Sequence, residues 1–199
     1  MARLAQSEII GGLVALLGEE CVSTSAPDVV AMSADFWPKT QIWKMGGDVE
    51  RYPPDCIAWP RTESEVADVV RFCAENSIPI VPYGGGSGVC GGTVPIHGGV
   101  VLDLKRLEGE VEIDASSLTA TAHSGFNGQH LEDRLNEAGV TLGHFPSSIM
   151  CSTLGGWLAT RSAGQYSSCY GKIEDMVLDL RAVLPDGEIV DTRDRQPGD

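Results

Sequence analysis

Six glycines lie within nine positions of the stretch PYGGGSGVCGGTV, residues 82–94, which we call the glycine loop. Apolar, strand-like runs flank it at residues 78–81 and 100–104. Glycine at this density permits positive φ angles and lets a ligand lie against main-chain N–H groups with no Cβ in the way. A place between two strands favours a ligand-binding loop over a flexible linker, which normally has polar surroundings.

The charge of the chain limits what the glycine loop can bind and how. The chain has 28 acidic and 14 basic residues, a formal net charge of −14, and the loop has no lysine or arginine. Nucleic acid and anionic membrane surfaces are therefore poor partners, and no apolar stretch reaches the ~18 residues that span a membrane. If the loop binds phosphate, its backbone amides must supply most of the attraction.

The cysteines and histidines point to no metal. Six cysteines, at positions 21, 56, 73, 90, 151 and 169, form no CxxC pair and share no metal-binding spacing with the four histidines. Scattered cysteines favour reduced thiols in a cytoplasmic compartment. No metal site is predicted.

The order of predicted elements gives an α+β class. An amphipathic helix opens the chain, with Ser7 as its cap and Gly18 at its end, and residues 21–52 are predicted to be irregular. Residues 51–83 then form a β-α-β unit whose helix begins at the capping box of residues 62–65. This unit leads directly into the glycine loop.

Further elements are predicted after the glycine loop. They are a strand over residues 99–104, hairpins over 111–122 and 176–190, a helix over 128–138 that ends at Gly139, and a helix opened by Ser152. The sequence shows no repeat and no low-complexity segment.

Three kinds of phosphate-binding loop could use so many glycines. A Walker A loop needs Gly-Lys-Ser/Thr before a helix, but Gly92 is followed by Thr93. The dinucleotide pattern GxGxxG is formally present at residues 86–91, but it must open a helix, which Pro95 and the glycines after it prevent. The third kind is a cradle between two strands, in which the amides of an extended loop point at a diphosphate.

Three motifs give the chain a family resemblance. They are PxTxxEV at residues 60–66, PIVPYGGGSG at 79–88 and VLDL at 101–104. Together they resemble the FAD-binding domain of the vanillyl-alcohol oxidase / p-cresol methylhydroxylase superfamily, from residue 50 to residue 190. The resemblance implies FAD as cofactor and a PCMH-type fold with a small β-α-β subdomain and a larger mixed sheet with helices.

Two branches of this superfamily fit. Residues 143–157, 160–164 and 170–175 look like alkyl-dihydroxyacetone-phosphate synthase, whereas residues 98–104 and 183–190 are equally similar to the glycolate / D-lactate dehydrogenase branch. The resemblance implies an FAD-dependent oxidoreductase that acts on a 2-hydroxy acid or similar alcohol. The alternatives are a synthase-like enzyme of ether lipid synthesis and a flavin-binding module without catalysis.

The resemblance assigns the FAD contacts to three segments. The first cofactor segment would wrap the pyrophosphate with its amides and one hydroxyl; it comprises Pro82, Tyr83, Gly84, Gly85, Gly86, Ser87 and Gly88. The second would run along the cofactor; it comprises Ser147, Ser148, Ile149, Met150, Cys151, Ser152 and Thr153. The third comprises Thr160, Arg161, Ser162, Ala163 and Gly164, with Arg161 as a candidate cation near the diphosphate.

The resemblance also bears on single positions. Both branches bind FAD non-covalently, and Gly86 stands where a covalently flavinylated relative carries histidine. Gly155 and Gly156 lie inside a predicted helix, where each costs about 1 kcal/mol relative to alanine. A close approach of the flavin would explain that cost, so Gly156 is also assigned to the cofactor. His144 is predicted to be a structural residue rather than a catalyst.

Relatives in this superfamily continue with another FAD-contacting segment and a substrate-binding cap domain. This sequence ends at Asp199, before either, so no catalytic residue is assigned. Residues 1–50 are expected to be a lead-in and residues 51–199 an incomplete FAD-binding domain. The chain alone is expected to be inactive, with a small-molecule substrate bound by the cap domain.

Overall fold

A computed structural model describes residues 4–48, 51–107 and 109–194. Its first half, up to residue 107, is built on a four-stranded mixed sheet. The strands are β1 (Val22–Ser23), β2 (Cys56–Ala58), β3 (Ile80–Tyr83) and β4 (Val100–Asp103), and the helices are α1 (Gln6–Leu17), α2 (Ala26–Met32), α3 (Pro38–Met45) and α4 (Glu63–Glu75). The strand order is β1-β2-β4-β3, with β2 and β3 parallel to β4 and β1 antiparallel to β2.

The predicted β-α-β unit is present, but its two strands are not neighbours. β4 lies between β2 and β3, so Val101 pairs with both Ile57 and Val81. All four residues of β4 are buried. A buried, mostly apolar strand of this kind is typical of the centre of a parallel sheet. Consequently the glycine loop leaves β3 beside the carboxyl end of β4.

Helices α1 and α4 pack against this sheet. Their residues Ile9, Leu13, Val69 and Cys73 are almost completely buried and form one apolar cluster with residues of β2 and β4. Full burial of an aliphatic side chain contributes about 1.5–3 kcal/mol. This cluster is therefore the main support of the strands that carry the glycine loop.

The ends of α1 agree only in part with the prediction. Gly18 follows the helix with φ +89°, as expected of the residue that ends it. Ser7 is not its cap, because the helix begins at Gln6 and the Glu8 carboxylate accepts the Ala5 N–H at 2.8 Å.

The capping box of α4 is half present. Thr62 Oγ1 accepts the N–H of Glu65 at 3.2 Å. The Glu65 carboxylate accepts the N–H of Arg61 at 2.6 Å. The Glu65 carboxylate therefore accepts from the N–H of Arg61, whereas the predicted capping box has the N–H of Thr62 as the donor.

The prediction of an irregular segment is wrong for residues 21–48, because these residues contain β1, α2 and α3. The Ser25 hydroxyl accepts the N–H of Asp28 at 3.4 Å at the start of α2, and α3 begins at Pro38. A serine cap and a proline in the first turn are ordinary helix-start signals. Residues 49–50 lie outside the described residues.

The second half, from residue 109, carries hairpins and short helices. The strands are β5 (Glu112–Asp114) with β6 (Thr119–Thr121) and β7 (Arg181–Val183) with β8 (Ile189–Asp191), and the helices are α5 (Gly128–Glu137), α6 (Leu154–Thr160), α7 (Ser167–Tyr170) and α8 (Ile173–Met176). Both hairpins were predicted. The first strand of the second hairpin begins at Arg181 and not at Met176, which is the last residue of α8. Among the described residues, no helix has both the length and the apolar character needed to span a membrane.

Candidate cofactor site

The glycine loop has bound carbonyl groups and unbound N–H groups. The Gly84 carbonyl accepts from Lys105 Nζ at 2.9 Å, and the Gly86 carbonyl accepts from the Phe36 N–H at 3.2 Å. The N–H groups of residues 84–88 donate to no residue in the described part of the chain. The loop therefore presents a run of main-chain donors without a protein acceptor, as an anion cradle requires.

The first and second cofactor segments touch backbone to backbone. A Cβ on Gly85 would overlap the carbonyl oxygen of Cys151, and a Cβ on Gly84 would overlap the hydroxyl of Thr153. Only glycine allows an approach this close. The structure therefore places the two segments side by side, as two adjoining walls.

Gly86 is required for a different reason. Its φ is +62°, and a Cβ there would overlap the hydroxyl of Tyr83. The Tyr83 ring is buried, and its hydroxyl donates to the Ala34 carbonyl at 3.4 Å. Burial raises the pKa of Tyr83 to about 12. The side chain of Tyr83 therefore supports the loop from the protein side, and its main chain pairs with Asp103 of β4. The cofactor contact of Tyr83 stays a prediction.

Thr153, and not Ser152, opens the helix after the second cofactor segment. Thr153 Oγ1 accepts the N–H of Gly156 at 3.3 Å, whereas Ser152 is buried and donates to the Ser148 carbonyl at 2.8 Å. The Ser152 hydroxyl also accepts from Trp157 Nε1 at 2.7 Å. Because a serine hydroxyl has one proton, Ser152 has no donor left for a phosphate. The Thr153 hydroxyl donates to no described residue.

The two glycines of α6 have separate explanations. The N–H of Gly155 donates to the Ser124 carbonyl at 2.7 Å, and a Cβ on Gly155 would come within 2.7 Å of Ser124 Cβ. Packing against Ser124 therefore explains why residue 155 is a glycine. The approach of a flavin is not needed to explain it. A Cβ on Gly156 would meet only Thr153 Oγ1, at 3.2 Å. The cofactor contact of Gly156 stays a prediction.

The side chains of the third cofactor segment are bound within the protein. Arg161 is 74% exposed and pairs with Glu174 through two of its nitrogens. Thr160 Oγ1 donates to the Gly156 carbonyl at 2.8 Å, and Ser162 Oγ lies 2.7 Å from His144 Nε2. Arg161 is therefore a surface residue paired with a carboxylate.

The three cofactor segments are not all brought together. The third lies at the far end of the seven-residue helix α6, ~10 Å from Thr153 at the helical rise per residue. It packs instead on the chain before the second segment, where a Cβ on Gly164 would come within 2.7 Å of the Phe145 nitrogen. The structure joins the first two segments and places the third a helix length away.

His144 connects helix α6 to the third cofactor segment. It is 1% exposed, its ring lies edge-on to Trp157 with centroids 4.8 Å apart, and Nε2 meets the Ser162 hydroxyl. Nδ1 has no partner among the described residues. Burial lowers the pKa of His144, so the ring is neutral near pH 7. These contacts agree with the predicted structural role.

Lys105 and Asp35 approach the glycine loop although neither was predicted. Lys105 follows β4 by two residues, whereas the cation predicted near the diphosphate is Arg161. Asp35 is 3% exposed, and its Oδ2 has no partner among the described residues and would lie 3.8 Å from a Cβ on Gly88. The one sequence signal for these two residues is that Lys105 is a charged residue directly after the predicted strand over residues 99–104.

Comparison with known proteins identifies relatives of the chain. A family model described as FAD binding domain matches residues 54–193. The alkyldihydroxyacetonephosphate synthase of Dictyostelium discoideum is 40% identical over 139 residues, which cover 68% of this chain and 23% of that protein. Glycolate oxidase subunit GlcD of Bacillus subtilis (strain 168) is 37% identical over 139 residues, which cover 70% of this chain and 30% of that protein. The chain thus spans less than a third of either relative.

Solved structures share the fold. A structure of alkyldihydroxyacetonephosphate synthase matches with a TM-score of 0.88 at 31% identity, over 98% of this chain and 36% of that chain. A p-cresol methylhydroxylase structure matches with a TM-score of 0.76 at 22% identity, over 97% of this chain and 36% of that chain, and shows the fold alone. The predicted α+β fold and superfamily are confirmed. The chain belongs to the FAD-binding domain family, and its cofactor is FAD.

Proposed function

We propose that this chain is the FAD-binding part of an oxidoreductase that acts on a 2-hydroxy acid or a similar alcohol. One observation carries the cofactor assignment: the N–H groups of residues 84–88 donate to no described residue, in a loop whose Gly84 and Gly85 pack against Thr153 and Cys151. The similarity to glycolate oxidase subunit GlcD supports the substrate class.

The residues of the glycine loop fit the diphosphate of FAD. Main-chain N–H groups attract anionic oxygen atoms without a formal positive charge, and the Thr153 hydroxyl adds a donor beside Gly84. FAD, when bound, supplies the ring that accepts a hydride from the alcohol. Gly86 in place of a histidine supports a non-covalent link.

The third cofactor segment is proposed to contact FAD further along the molecule. The main chain of Ala163 has no partner among the described residues and is available for that contact. The N–H groups of Arg161, Ser162 and Gly164 donate within the protein, and the Ser162 hydroxyl meets His144. The Glu174 carboxylate neutralises the charge of Arg161, which weakens its attraction for a phosphate. We therefore assign the segment to the cofactor through the main chain of Ala163, and give Arg161 a small part in affinity.

A second candidate function is alkyl transfer of the kind named in the synthase relatives. It is favoured by the 40% identity to the Dictyostelium discoideum synthase and by the match of a synthase structure over 98% of this chain. In this reaction the flavin acts without net oxidation of the substrate. A third candidate, a flavin-binding module without catalysis, shares the same cradle.

The substrate is proposed to bind outside residues 54–193, in a cap domain, because the chain spans 23% of the Dictyostelium discoideum synthase and 30% of glycolate oxidase subunit GlcD. A cytoplasmic compartment is supported by the buried free thiols of Cys56 and Cys73. Burial raises the pKa of each to about 12, which keeps both thiols protonated and unreactive.

The test begins with the absorbance spectrum of the protein after incubation with FAD and removal of the excess. Flavin bands that stay with the protein are expected; a protein that stays colourless contradicts the cofactor site. Anaerobic mixing of the FAD-loaded protein, supplied with its cap domain, with glycolate or D-lactate should then bleach the flavin, whereas acetate and propionate, which lack the hydroxyl, should not. A bound flavin that no 2-hydroxy acid bleaches would reject the oxidoreductase in favour of the other two candidates.

Those two candidates are separated by an alkyl-transfer assay. The FAD-loaded protein, supplied with its cap domain, is mixed with an acyl-dihydroxyacetone phosphate and a fatty alcohol. Formation of the ether product supports the synthase-like enzyme. A yellow protein that turns over neither class of substrate is the result expected of a binding module.

A further inference from the structure

Lys105 has no N–H group left for a ligand. Its Nζ lies 2.7 Å from each carboxylate oxygen of Asp103 and 2.9 Å from the Gly84 carbonyl oxygen. An ammonium group has three N–H donors, and these three acceptors account for them. Lys105 is thus a cation beside the glycine loop that is committed to the protein.

Asp103 fixes the position of that ammonium group. The carboxylate is 1% exposed and also accepts from Trp59 Nε1 at 2.8 Å and from the Lys105 N–H at 3.1 Å. A buried carboxylate is costly unless it is paired and hydrogen-bonded. The Lys105 ammonium additionally lies 5.1 Å from the centroid of the Tyr83 ring. The lysine is therefore held in place whether or not a ligand is bound.

The bond from Lys105 determines the orientation of the next peptide. A trans peptide is planar, so its N–H points away from the side to which its C=O points. Because the Gly84 carbonyl points at Lys105, the Gly85 N–H points away from it, and that N–H donates to no described residue. Two adjoining glycines have no Cβ that would otherwise restrict rotation of this peptide.

We propose that Lys105 is a positioning residue for FAD. With Asp103 it holds the Gly84 carbonyl so that the Gly85 N–H faces the diphosphate, without touching the phosphate itself. The inference rests on the proposed binding of the diphosphate by the glycine loop. It adds that a charged pair outside the loop orients one of the donors.

The test uses Lys105→Met, which keeps most of the aliphatic stem, and a double variant that combines Asp103→Asn with Lys105→Met. Two quantities are measured: the dissociation constant of FAD, from flavin fluorescence, and the unfolding midpoint without FAD. Lys105→Met should weaken FAD binding about tenfold to a hundredfold, the range for a hydrogen bond to a charged group, and should lower the midpoint. In the double variant the midpoint should recover, because a neutral amide replaces the buried carboxylate, while FAD binding stays weak.

The neighbouring cation supplies a matched control. Arg106 lies over the Trp59 ring and donates to the Glu20 carbonyl at 3.2 Å, so Arg106→Met removes a positive charge next to Lys105 without touching the Gly84 carbonyl. The dissociation constant of FAD for Arg106→Met should stay within about threefold of the wild-type value, below the tenfold change expected at least for Lys105→Met.

Two results would overturn the positioning role. One is a Lys105→Met protein whose FAD affinity stays within about threefold of wild type. The other is a double variant that recovers FAD affinity together with the midpoint, which would show that Lys105 only neutralises Asp103. A wild-type protein that binds no FAD is a different failure, because it rejects the proposed function itself.

Discussion

The first and third cofactor segments have similar residue types but opposite states of hydrogen bonding. Both contain glycine and hydroxyl residues, and both were assigned to FAD from the resemblance. In the glycine loop the N–H groups of residues 84–88 are unbound, while two carbonyls are held by other parts of the protein. In the third segment Thr160, Arg161 and Ser162 all have protein partners.

This difference shows that a binding segment is recognised by the donors it leaves unused. The glycine loop combines a fixed backbone with free N–H groups, which is the condition for a pre-organised anion site. In the third segment the hydroxyls of Thr160 and Ser162 are already engaged within the protein, and the charge of Arg161 is neutralised by Glu174. Substitutions in the first segment and its supporting wall should therefore affect FAD far more than substitutions in the third.

The largest effect is expected of Gly85→Ala. The added methyl would overlap the Cys151 carbonyl and push the two walls apart, and overpacking of this kind costs about 1–3 kcal/mol of stability. FAD affinity, measured by fluorescence titration, should fall by more than about a hundredfold, which is ~2.7 kcal/mol. Gly92→Ala is the control, because nothing lies within 4 Å of a Cβ at Gly92 in the same loop. Equal FAD affinity in both variants would contradict the importance of the contact between the walls.

The pair Gly155→Ala and Gly156→Ala should separate packing from cofactor contact. Gly155→Ala should lower the free energy of unfolding by about 1–3 kcal/mol, because its methyl meets Ser124. Gly156→Ala should raise it by up to about 1 kcal/mol through helix propensity, and should weaken FAD binding only if the cofactor passes this face of α6. Urea unfolding and FAD titration of both variants make the comparison. Unchanged FAD binding in a stabilised Gly156→Ala protein would remove Gly156 from the site.

A smaller effect is expected of Thr153→Val. It removes the cap of α6, worth about 1 kcal/mol, together with the hydroxyl beside Gly84. Stability and FAD affinity should both fall, the latter about tenfold, as expected for the loss of one hydrogen bond. Thr160→Val removes a hydroxyl at the other end of the same helix and should leave FAD affinity unchanged. If Thr160→Val has the larger effect on FAD, the contrast between the segments is wrong.

The smallest effect is expected of Arg161→Gln. The hydrogen bonds from Arg161 and Lys172 lower the pKa of Glu174 to about 2, below its ordinary value of 4.5. A lowered carboxyl pKa contributes stability that is present above the ordinary value and is lost as the pH falls toward 2. Because the pair is exposed, the contribution is small. Arg161→Gln should flatten the fall of the unfolding midpoint between pH 4.5 and 2 and change FAD affinity by less than about threefold at pH 7. A tenfold loss of affinity would make Arg161 a phosphate ligand.

Local sequence signals were enough for several elements of the fold. Strands β2, β3 and β4, helix α4 and both hairpins follow from apolar periodicity and turn residues, and Gly18 ends α1 as expected. The helices α2 and α3 were missed because each has only seven or eight residues and contains a proline, so neither shows a clear apolar stripe. The insertion of β4 between β2 and β3 could not be predicted, because strand pairing across distant segments is not written in local periodicity.

The sequence by itself determined the chemistry of the glycine loop: a flexible main chain without Cβ atoms and without a local cation. The tertiary structure alone decided what that main chain faces. It brings Lys105, 21 residues away, to the Gly84 carbonyl, and places Cys151 against Gly85. It also buries Ser152 against Trp157 and makes Thr153 the cap of α6. The physical reason is that a hydrogen bond depends on which groups lie within about 3 Å in space, and the folding of strands β3 and β4 side by side sets that neighbourhood.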